Sequence, residues 1–328
     1  MTTIAVIDDY LELAELSADW RNLPASPKVR FYHDRGASRE EVLQRLADVN
    51  VLSTMHERTR IDGDMLAALP RLRLIIGTGQ PAIDMAAATR LGILMAGARG
   101  SGGGGGDPTA ELTIGLMIAA MRHIPAEDGA MRGGVWQGEI GESLGGKTLG
   151  ILGLGRIGGH VAAFGRLFDM TVIAWGPTLT PERAQQHGAE MVSKADLFQR
   201  SDVISVHWKL NDVTRGLVGA SDLALMKPSA YLINTARGPL IQQDALLDVL
   251  SKRRIAGAAL DVYDDEPLPA DSPFLTLSNT VLAPHLGYAT GDYLRRTYAA
   301  HVETIRAYLA GEPINLFNPD ALAHARSA

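Results

Sequence analysis

Residues 148–158 of this chain read TLGILGLGRIG, a stretch in which an apolar run gives way to regularly spaced glycines. The apolar run ends at Leu152, and a helical pattern continues from the glycines to Phe168. In such a strand–turn–helix unit the first glycine permits a tight turn, the second lets backbone approach a pyrophosphate, and the third lets helix and strand pack closely. The helix N-terminus adds N–H donors and a positive dipole end. The stretch therefore predicts a dinucleotide-binding turn formed by Gly153, Gly155, Arg156, Ile157 and Gly158.

The composition limits the classes of protein to which the chain can belong. Its 328 residues suffice for two domains, and 46% hydrophobic with 21% charged residues is typical of a globular protein with a substantial core. A net charge of −6 without long basic blocks argues against a nucleic-acid partner. The absence of cysteine excludes disulfides, thiol nucleophiles and cysteine-ligated zinc. With no signal-like or membrane-length apolar run, we expect a cytoplasmic protein with no metal and no membrane partner.

Short apolar runs alternate with amphipathic stretches along most of the chain. Strands are predicted at 4–7, 29–32, 51–53, 72–76, 93–95, 149–152, 171–175, 203–206, 230–234, 257–260 and 280–282. Helices are predicted at 11–16, 39–46, 65–69, 83–91 and 290–310. Such alternation indicates parallel sheets covered on both faces. The fold class is therefore α/β, with a Rossmann-type doubly wound sheet (100–288) inserted in a flavodoxin-like second domain (1–99 and 289–328).

The segment between the two predicted sheets contains three features. Glycines 102–106 are interpreted as a linker, and Asp107-Pro108 as the N-cap and first residue of a helix over Thr109–His123. That helix is apolar on most faces, so we expect it to be buried between domains or subunits. A polar loop is predicted up to Lys147. Its GESLG sequence at 141–145 matches the GxSxG of serine hydrolases, but without a strand before and a helix after it we interpret the match as chance.

Polar side chains follow the last three predicted strands, at the edge where ligands of parallel sheets bind. Arg237 follows one strand, the acidic stretch from Asp261 to Glu266 follows the next, and His285 follows the last. A planar guanidinium suits a substrate carboxylate and its 2-keto group. An imidazole suits proton donation near neutral pH, and a nearby carboxylate would stabilise its protonated form and orient the ring. Beside a dinucleotide, these groups predict reduction of a 2-keto acid.

Four blocks carry a wider resemblance: GKTLGILGLGRIG (146–158), MKPSAYLINTARGPLIQQDAL (226–246), GAALDVYDDEPLP (257–269) and APHLGYAT (283–290). In this order the chain resembles the D-isomer-specific 2-hydroxyacid dehydrogenases over nearly all of its length. The resemblance implies an NAD- or NADP-dependent enzyme of the glyoxylate or hydroxypyruvate reductase kind, with a small 2-keto or 2-hydroxy acid as substrate. It also implies a homodimer formed through the Thr109–His123 helix, and a cleft that closes on binding.

The resemblance assigns roles to individual residues. Arg237 would bind substrate, His285 would act as acid and base, and Glu266 would be the partner of the histidine. Cofactor contacts are expected, beyond the glycine turn, at Gly176, Thr178, His207, Thr235, Ala236, Asp261 and Gly287. Further substrate contacts are expected at His56, Thr78 and Gly79. Asp261 would hold the nicotinamide carboxamide.

The chain departs from the family pattern in several places. Members that prefer NAD place Asp after the second strand, where it binds the ribose 2′-hydroxyl, whereas residues 175–178 here read Trp-Gly-Pro-Thr. The choice between NAD and NADP is therefore open, and Thr178, Thr180 and Arg183 are candidates to accommodate a 2′-phosphate. His56 lies where many relatives carry Arg. It is a candidate either to contact the substrate or to cap the strand that precedes it. The long glycine run predicts a looser hinge.

Two other functions remain possible on the same fold. One is an NAD(H)-sensing binding protein of the corepressor type, which the presence of Arg237, Glu266 and His285 does not exclude. Turnover with 2-keto acids distinguishes it from an enzyme. The other is a relative of formate dehydrogenase, whose histidine has a Gln partner, so Glu266 argues against it.

Overall fold

The computed structural model describes residues 1–55, 58–77, 82–97 and 107–324. In this structure the chain divides into two units. The first unit comprises Met1–Gly104 and Thr290–Ala328, and the second comprises Gly105–Ala289. The second unit therefore interrupts the first in sequence.

Five short parallel strands form the sheet of the first unit, in the spatial order β2–β1–β3–β4–β5. They are β1 (Thr3–Val6), β2 (Lys28–Phe31), β3 (Val51–Thr54), β4 (Leu74–Gly77) and β5 (Leu94–Ala96). This is the order of flavodoxin-like doubly wound sheets. All residues of β1, β3, β4 and β5 are buried, as strands covered on both faces require. The five predicted strands are confirmed to within two residues.

Helices cover both faces of this sheet. They are α1 (Ala14–Ser17), α2 (Arg39–Leu46), α3 (Gly63–Ala67), α4 (Met85–Arg90) and the long α12 (Gly291–Leu309). Apolar residues of α2, α3 and α4 share a core cluster with Leu52 of β3. Ser53, the next residue, points to the other face, where its Oγ lies 2.8 Å from Nδ1 of His301 in α12. The alternation of side chains along β3 therefore assigns the helices to opposite faces.

The predicted helix over 11–16 is wrong at its start. The helix begins at Ala14, because the carboxylate of Asp9 accepts the N–H groups of Leu13 and Ala14, each at 3.1 Å. Glu12 has a left-handed backbone with φ of 55°, which a helix does not tolerate. The carboxylate thus replaces the first helical turn that the apolar pattern predicts.

Seven parallel strands form the sheet of the second unit, in the order β12–β11–β10–β9–β6–β7–β8. They are β6 (Thr148–Leu152), β7 (Thr171–Trp175), β8 (Glu190–Met191), β9 (Val203–Val206), β10 (Tyr231–Asn234), β11 (Gly257–Leu260) and β12 (Thr280–Leu282). The helices are α5 (Pro108–Met121), α6 (Ile124–Arg132), α7 (Arg156–Leu167), α8 (Pro181–Gln186), α9 (Lys194–Arg200), α10 (Ala220–Leu223) and α11 (Gln243–Ser251). Six of these strands are predicted to within one residue, while the exposed, two-residue β8 is not predicted.

The order of these strands places a ligand-binding crevice within the unit. From β6 the chain runs outward through β7 and β8, and then returns to β9 on the other side of β6. Ligands of doubly wound sheets bind at the carboxyl ends of the strands where the order reverses. Here that point lies between Gly153, after β6, and His207, after β9. The fold class predicted from the sequence is confirmed, because both sheets are parallel and doubly wound.

Helix α5 packs against the sheet of its own unit. Asp107 is its N-cap and Pro108 lies in its first turn, so the predicted helix start is confirmed. Ala110, Met117 and Met121 are buried in the same cluster as residues of β6 and β7, which explains much of the helix's apolar character. None of the helices in the described ranges combines the length and apolar character that crossing a membrane requires.

The polar loop predicted up to Lys147 is wrong over its first part, because Ile124–Arg132 form α6. His123 adopts a left-handed conformation with φ of 53°, which separates α5 from α6, and Pro125 lies in the first turn of α6. The carboxylate of Glu127 accepts the N–H groups of Gly138 at 3.0 Å and Glu139 at 2.8 Å. These contacts hold the returning chain against a helix whose sequence is too polar and glycine-containing to indicate it.

Candidate active site

The glycine turn after β6 has the geometry that its sequence predicts. Gly153 has φ of +101°, and an added Cβ would lie 2.8 Å from the carbonyl oxygen of His207. At Gly158 an added Cβ would lie 2.3 Å from the carbonyl oxygen of Gly153. Both positions therefore exclude a side chain, the first by conformation and the second because α7 packs closely on the turn.

Gly155 differs from these two glycines, because an added Cβ would meet no atom within 4 Å. Gly155 is exposed and is the N-cap of α7, with no side chain capping the helix. The turn thus presents the N–H groups of the first turn of α7 to open space. A dinucleotide pyrophosphate fits this cradle, because it would accept those N–H groups and occupy the volume that a side chain would fill.

Arg156 follows in the first turn of α7 and forms an ion pair with Asp107. The carboxylate of Asp107 is buried and also accepts the N–H of Thr109 at 3.1 Å, so one side chain joins the start of α5 to the glycine turn. Ile157 is half-buried against the core of the unit. The Asp107–Arg156 pair is absent from the sequence-based interpretation, which treats Asp107 as a cap alone.

Polar and aromatic groups also follow β7 and β9. Gly176 is buried beside Trp208, while Thr178 is exposed. Nε2 of His207 lies 2.8 Å from Oγ of Ser205, and burial lowers the pKa of His207 to about 3. The imidazole is therefore neutral at the edge of the crevice, where it can offer a hydrogen bond but no charge.

The turn after β10 carries Arg237. Asn234 shapes this turn, since its side chain accepts the N–H of Ala236 and donates to the carbonyl oxygen of Arg237, both at 3.0 Å. The Arg237 guanidinium donates to the carbonyl oxygen of Ala236 at 2.6 Å. The hydroxyl of Thr235 lies 2.7 Å from that of Thr113 in α5. No local sequence pattern indicates this last contact, because the two threonines are 122 positions apart.

The turn after β11 lies directly against the turn that carries Arg237. An added Cβ on Gly238 would stand 2.1 Å from the carbonyl carbon of Tyr263 and 2.6 Å from the backbone nitrogen of Asp264. Glu266 belongs to this second turn, where its Oε1 accepts the N–H of Tyr263 at 2.9 Å. The close backbone approach therefore brings the guanidinium-bearing and carboxylate-bearing turns together.

His285 faces Glu266 across the same edge. Its Nδ1 lies 2.5 Å from Oε2 of Glu266, and both side chains are largely buried. Burial by itself would raise the pKa of Glu266, but the bond to His285, the Tyr263 N–H and the positive charge of Arg237 together lower it. The carboxylate thus remains ionised beside the imidazole. The ring of Tyr288 meets that imidazole edge-on, with centroids 5.9 Å apart.

Asp261 holds the turn on which His285 lies. It is fully buried, and its two oxygens accept the N–H groups of Leu286 at 2.6 Å and Gly287 at 2.9 Å. Burial raises the pKa of this carboxyl group, and the two N–H donors act in the opposite direction. The carbonyl oxygen of Gly287 accepts the hydroxyl of Thr109 at 3.0 Å. The backbone around His285, whose φ is 56°, is therefore fixed from two sides.

The structure places the expected groups of the second unit along one sheet edge. His56, Thr78, Gly79 and the glycine run at 102–106 lie outside the described residues. Among the described residues, no group of three or more His, Asp or Glu side chains is arranged to hold a metal ion. Ser143 of the GESLG match lies in a segment with neither a strand before it nor a helix after it.

A parallel doubly wound sheet with an open glycine turn is typical of dinucleotide-dependent enzymes. The family model for the D-isomer specific 2-hydroxyacid dehydrogenase NAD binding domain matches residues 114–287. The glyoxylate reductase of Aeropyrum pernix is 38% identical over 295 residues, which cover 86% of this chain and 87% of that protein. The chain therefore belongs to the D-isomer-specific 2-hydroxyacid dehydrogenase family, whose reaction is nicotinamide-dependent oxidation and reduction at a 2-hydroxy acid carbon.

Two further relatives have a different named activity. The D-3-phosphoglycerate dehydrogenase of Methanocaldococcus jannaschii is 37% identical over 282 residues, covering 84% of this chain but 53% of that protein. The chain thus spans about half the length of that relative. The crystal structure of a phosphoglycerate oxidoreductase from Vibrio cholerae superposes with a TM-score of 0.86 at 34% identity, covering 95% of this chain and all of that one.

Proposed function

We propose that this protein is an NAD(P)-dependent D-2-hydroxyacid dehydrogenase that reduces a small 2-keto acid. The observation that carries the proposal is the 2.5 Å contact between His285 and Glu266. His285 lies on a turn that Asp261 holds, and Glu266 lies on a turn beside that of Arg237. These groups lie on the same sheet edge as the open glycine turn. When bound, the nicotinamide cofactor supplies the hydride, and the side chains supply the remaining requirements of the reaction.

The contact with Glu266 assigns the two ring nitrogens of His285. Because Nδ1 donates its proton to the ionised Glu266, Nε2 is the atom that delivers a proton to the oxygen of the reduced keto group. Glu266 stabilises the protonated ring and holds its orientation. In the oxidative direction the same nitrogen removes the hydroxyl proton.

Arg237 acts as the substrate-binding cation in this proposal. A guanidinium offers paired hydrogen bonds to a carboxylate and polarises the adjacent keto group. Asp261 acts by holding the turn at 285–287, and its predicted contact with the nicotinamide carboxamide would add to that role. His56, Thr78 and Gly79 remain the further substrate contacts that the family resemblance implies.

The proposed substrate class is based on the named activities of the relatives. The phosphoglycerate oxidoreductase from Vibrio cholerae is matched over its full length at 34% identity. The glyoxylate reductase of Aeropyrum pernix has the higher identity, 38%, over 87% of its length, and the D-3-phosphoglycerate dehydrogenase of Methanocaldococcus jannaschii is matched over 53% of its length. Small 2-keto acids such as glyoxylate and hydroxypyruvate are therefore proposed before phosphorylated substrates.

A steady-state screen tests the function. The purified chain is assayed with glyoxylate, hydroxypyruvate and larger 2-keto acids, each with NADH and NADPH, by loss of reduced-cofactor absorbance. We expect saturable turnover with at least one small 2-keto acid and a D-configured product. Cofactor binding without turnover on any of these acids would instead support an NAD(H)-sensing binding protein, and absence of cofactor binding would contradict both.

The proposal includes a homodimer formed through the region of the Thr109–His123 helix, and we extend this region to the adjoining segment as far as Ile140. Large apolar side chains are exposed along α6 and the segment after it, among them Trp136 at 78% and Ile140 at 97% exposure. The others are Ile124, Met131 and Val135. Several large exposed apolar side chains within one segment are typical of an interface, and a second copy of this chain is the proposed occupant. Light scattering should show a dimer that Trp136→Ser/Ile140→Ser disrupts and that exposed Val213→Ser, elsewhere on the unit, does not.

A further inference from the structure

The segment after β7 lies where doubly wound folds distinguish the two nicotinamide dinucleotides. In these folds an acidic residue about 20 positions beyond the glycine turn binds the adenosine ribose 2′-hydroxyl of NAD, and an Arg nearby accommodates the 2′-phosphate of NADP. In this chain β7 ends at Trp175, and the acidic residue that follows first is Glu182, which lies in α8. The strand end thus has no carboxylate to accept a ribose hydroxyl.

The structure also shows that Gly176 has no room for a side chain. An added Cβ would lie 2.9 Å from Cζ3 and 3.0 Å from Cη2 of Trp208. The Trp208 ring is itself packed against Trp175, with ring centroids 6.0 Å apart. A carboxylate at this position would require the indole to move. The packing of the tryptophan pair therefore excludes the residue that NAD recognition uses.

A cation lies against the same segment. Nη1 of Arg183 donates to the carbonyl oxygen of Thr178 at 2.8 Å, so the side chain turns back from α8 toward the end of β7. A guanidinium carries five N–H donors, and this bond uses one of them. Both Arg183 and Thr178 are exposed. The guanidinium is thereby held at the strand end with donors directed to solvent-accessible space.

The hydrogen bonds at the start of α8 show which side chains near Arg183 already have partners. Thr180 is the N-cap of α8, and its Oγ1 accepts the N–H of Arg183 at 3.3 Å. Hydrogen bonds to the Glu182 carboxylate, first from its own backbone N–H and then from the Thr180 hydroxyl, lower the pKa of Glu182. Because Thr180 caps the helix, the hydroxyl of Thr178 is the group that would bind a phosphate together with Arg183.

We propose that this chain prefers NADP(H) to NAD(H), with the Arg183 guanidinium and the Thr178 hydroxyl binding the 2′-phosphate of the adenosine ribose. The inference rests on the proposed function, since it concerns the cofactor of that reaction. A phosphate monoester dianion matches the planar, always charged guanidinium. NAD(H) carries no 2′-phosphate for the guanidinium to bind, and its ribose 2′-hydroxyl has no carboxylate partner at the strand end. The preference therefore arises both from attraction of NADP(H) and from a missing contact to NAD(H).

The first test measures binding, without turnover. The full chain is titrated with NADPH, NADH, adenosine 2′,5′-bisphosphate and 5′-AMP by calorimetry. We expect NADPH to bind about 10-fold or more tightly than NADH, because hydrogen bonds to charged groups contribute about 1.5–3 kcal/mol. The bisphosphate should likewise bind more tightly than 5′-AMP, and its binding should weaken more as salt is added. Equal or tighter binding of NADH overturns the proposal.

Matched variants test the assignment to Arg183. Arg183→Gln should weaken NADPH about 10-fold and leave NADH within about 2-fold. Arg254→Gln, at an exposed position after α11, should change neither affinity. Thr178→Asp should shift the preference toward NADH. Equal weakening of both cofactors by Arg183→Gln would overturn the assignment, and unchanged melting temperatures would show that the variants are folded.

The outcomes separate this inference from the proposed function. Turnover of a 2-keto acid with NADH as readily as with NADPH would leave the reaction standing and remove the cofactor preference. Failure of both NADH and NADPH to bind would contradict the reaction itself. NADPH-selective binding without turnover would support the 2′-phosphate site while contradicting the reductase.

Discussion

Gly238 and Tyr263 are in backbone contact: a Cβ on Gly238 would stand 2.1 Å from the Tyr263 carbonyl carbon. This approach joins the turn that carries Arg237 to the turn that carries Glu266. The glycine of the Ala-Arg-Gly-Pro sequence is therefore a requirement of the site's assembly, since only a residue without Cβ permits the two turns to meet.

Gly238→Ala should separate these two turns. We expect kcat/KM to fall by about 100-fold, because a displacement of about 1 Å in a reacting constellation costs that much. The melting temperature should fall as well. Gly145→Ala is the control, since its Cβ would have only an ordinary contact at 3.6 Å with the Phe168 carbonyl oxygen. Full activity of Gly238→Ala would show that the two turns do not act together.

His285→Ala should remove the proton donor. Turnover should drop by about 10²–10⁴-fold, the usual contribution of a positioned general acid. Cofactor affinity measured by calorimetry should be retained, because His285 is not part of the glycine turn. His160→Ala removes an exposed imidazole from α7 and should leave kcat unchanged. An unchanged kcat in His285→Ala would show that His285 is not the proton donor.

Glu266→Gln preserves the shape of the side chain and removes its charge. The protonated imidazole of His285 loses the ionised partner at 2.5 Å. The alkaline limb of the kcat profile for keto-acid reduction should therefore move to lower pH. A pH–rate series from 5 to 10 measures it, with exposed Asp265→Asn as control. A uniform loss of rate with no change in profile shape would indicate a purely structural contribution.

Gly155→Leu should abolish cofactor binding without unfolding the protein. The backbone of Gly155 has φ of −95°, which any residue adopts, and its Cβ direction is open. The new side chain would fill the volume assigned to the pyrophosphate. The expected result is a wild-type melting temperature in the absence of cofactor and no heat of binding with NADPH or NADH. Retained binding would place the pyrophosphate elsewhere.

The buried His301 makes the stability of the first unit sensitive to pH. Its Nδ1 contacts Ser53, and no described residue bonds to Nε2. Burial lowers its pKa from 6.5 to about 4. Since the unfolded chain takes up this proton first, stability falls as pH decreases from about 6.5 toward 4, and this group removes about 2 kcal/mol between pH 6.5 and 5.

Urea unfolding at pH 7.5 and pH 5 measures this contribution. Wild type and His301→Gln are compared, because other groups that titrate cancel in the difference between them. The variant should be less stable at pH 7.5 and should lose less stability on acidification. Exposed His160→Gln should follow wild type. Equal losses in all three proteins would show that His301 does not titrate as described.

Most strands were predictable because they are largely buried and so read as short apolar runs bounded by polar or glycine residues. The exposed two-residue β8 has no such run and was not predicted. Strands such as Thr171–Trp175 and Val203–Val206 match the predicted ranges. The start of the short helix α1 and the existence of the polar helix α6 were not predictable. Side-chain contacts from Asp9 and Glu127 determine where the chain turns in these two places. Local pattern does not record contacts made by one residue to backbone several positions away.

The sequence alone determined the α/β alternation, the glycine turn at 153–158 and the residue types that follow the strands, because these depend on neighbours within a few positions. Only the tertiary structure decided that the two oxygens of Asp261 accept backbone N–H groups in the turn of His285. It also decided that Trp208 fills the space beside Gly176. Those contacts join residues separated by 25 or more positions in sequence. Their existence depends on the order and register of strands in the sheet, which many distant interactions set together.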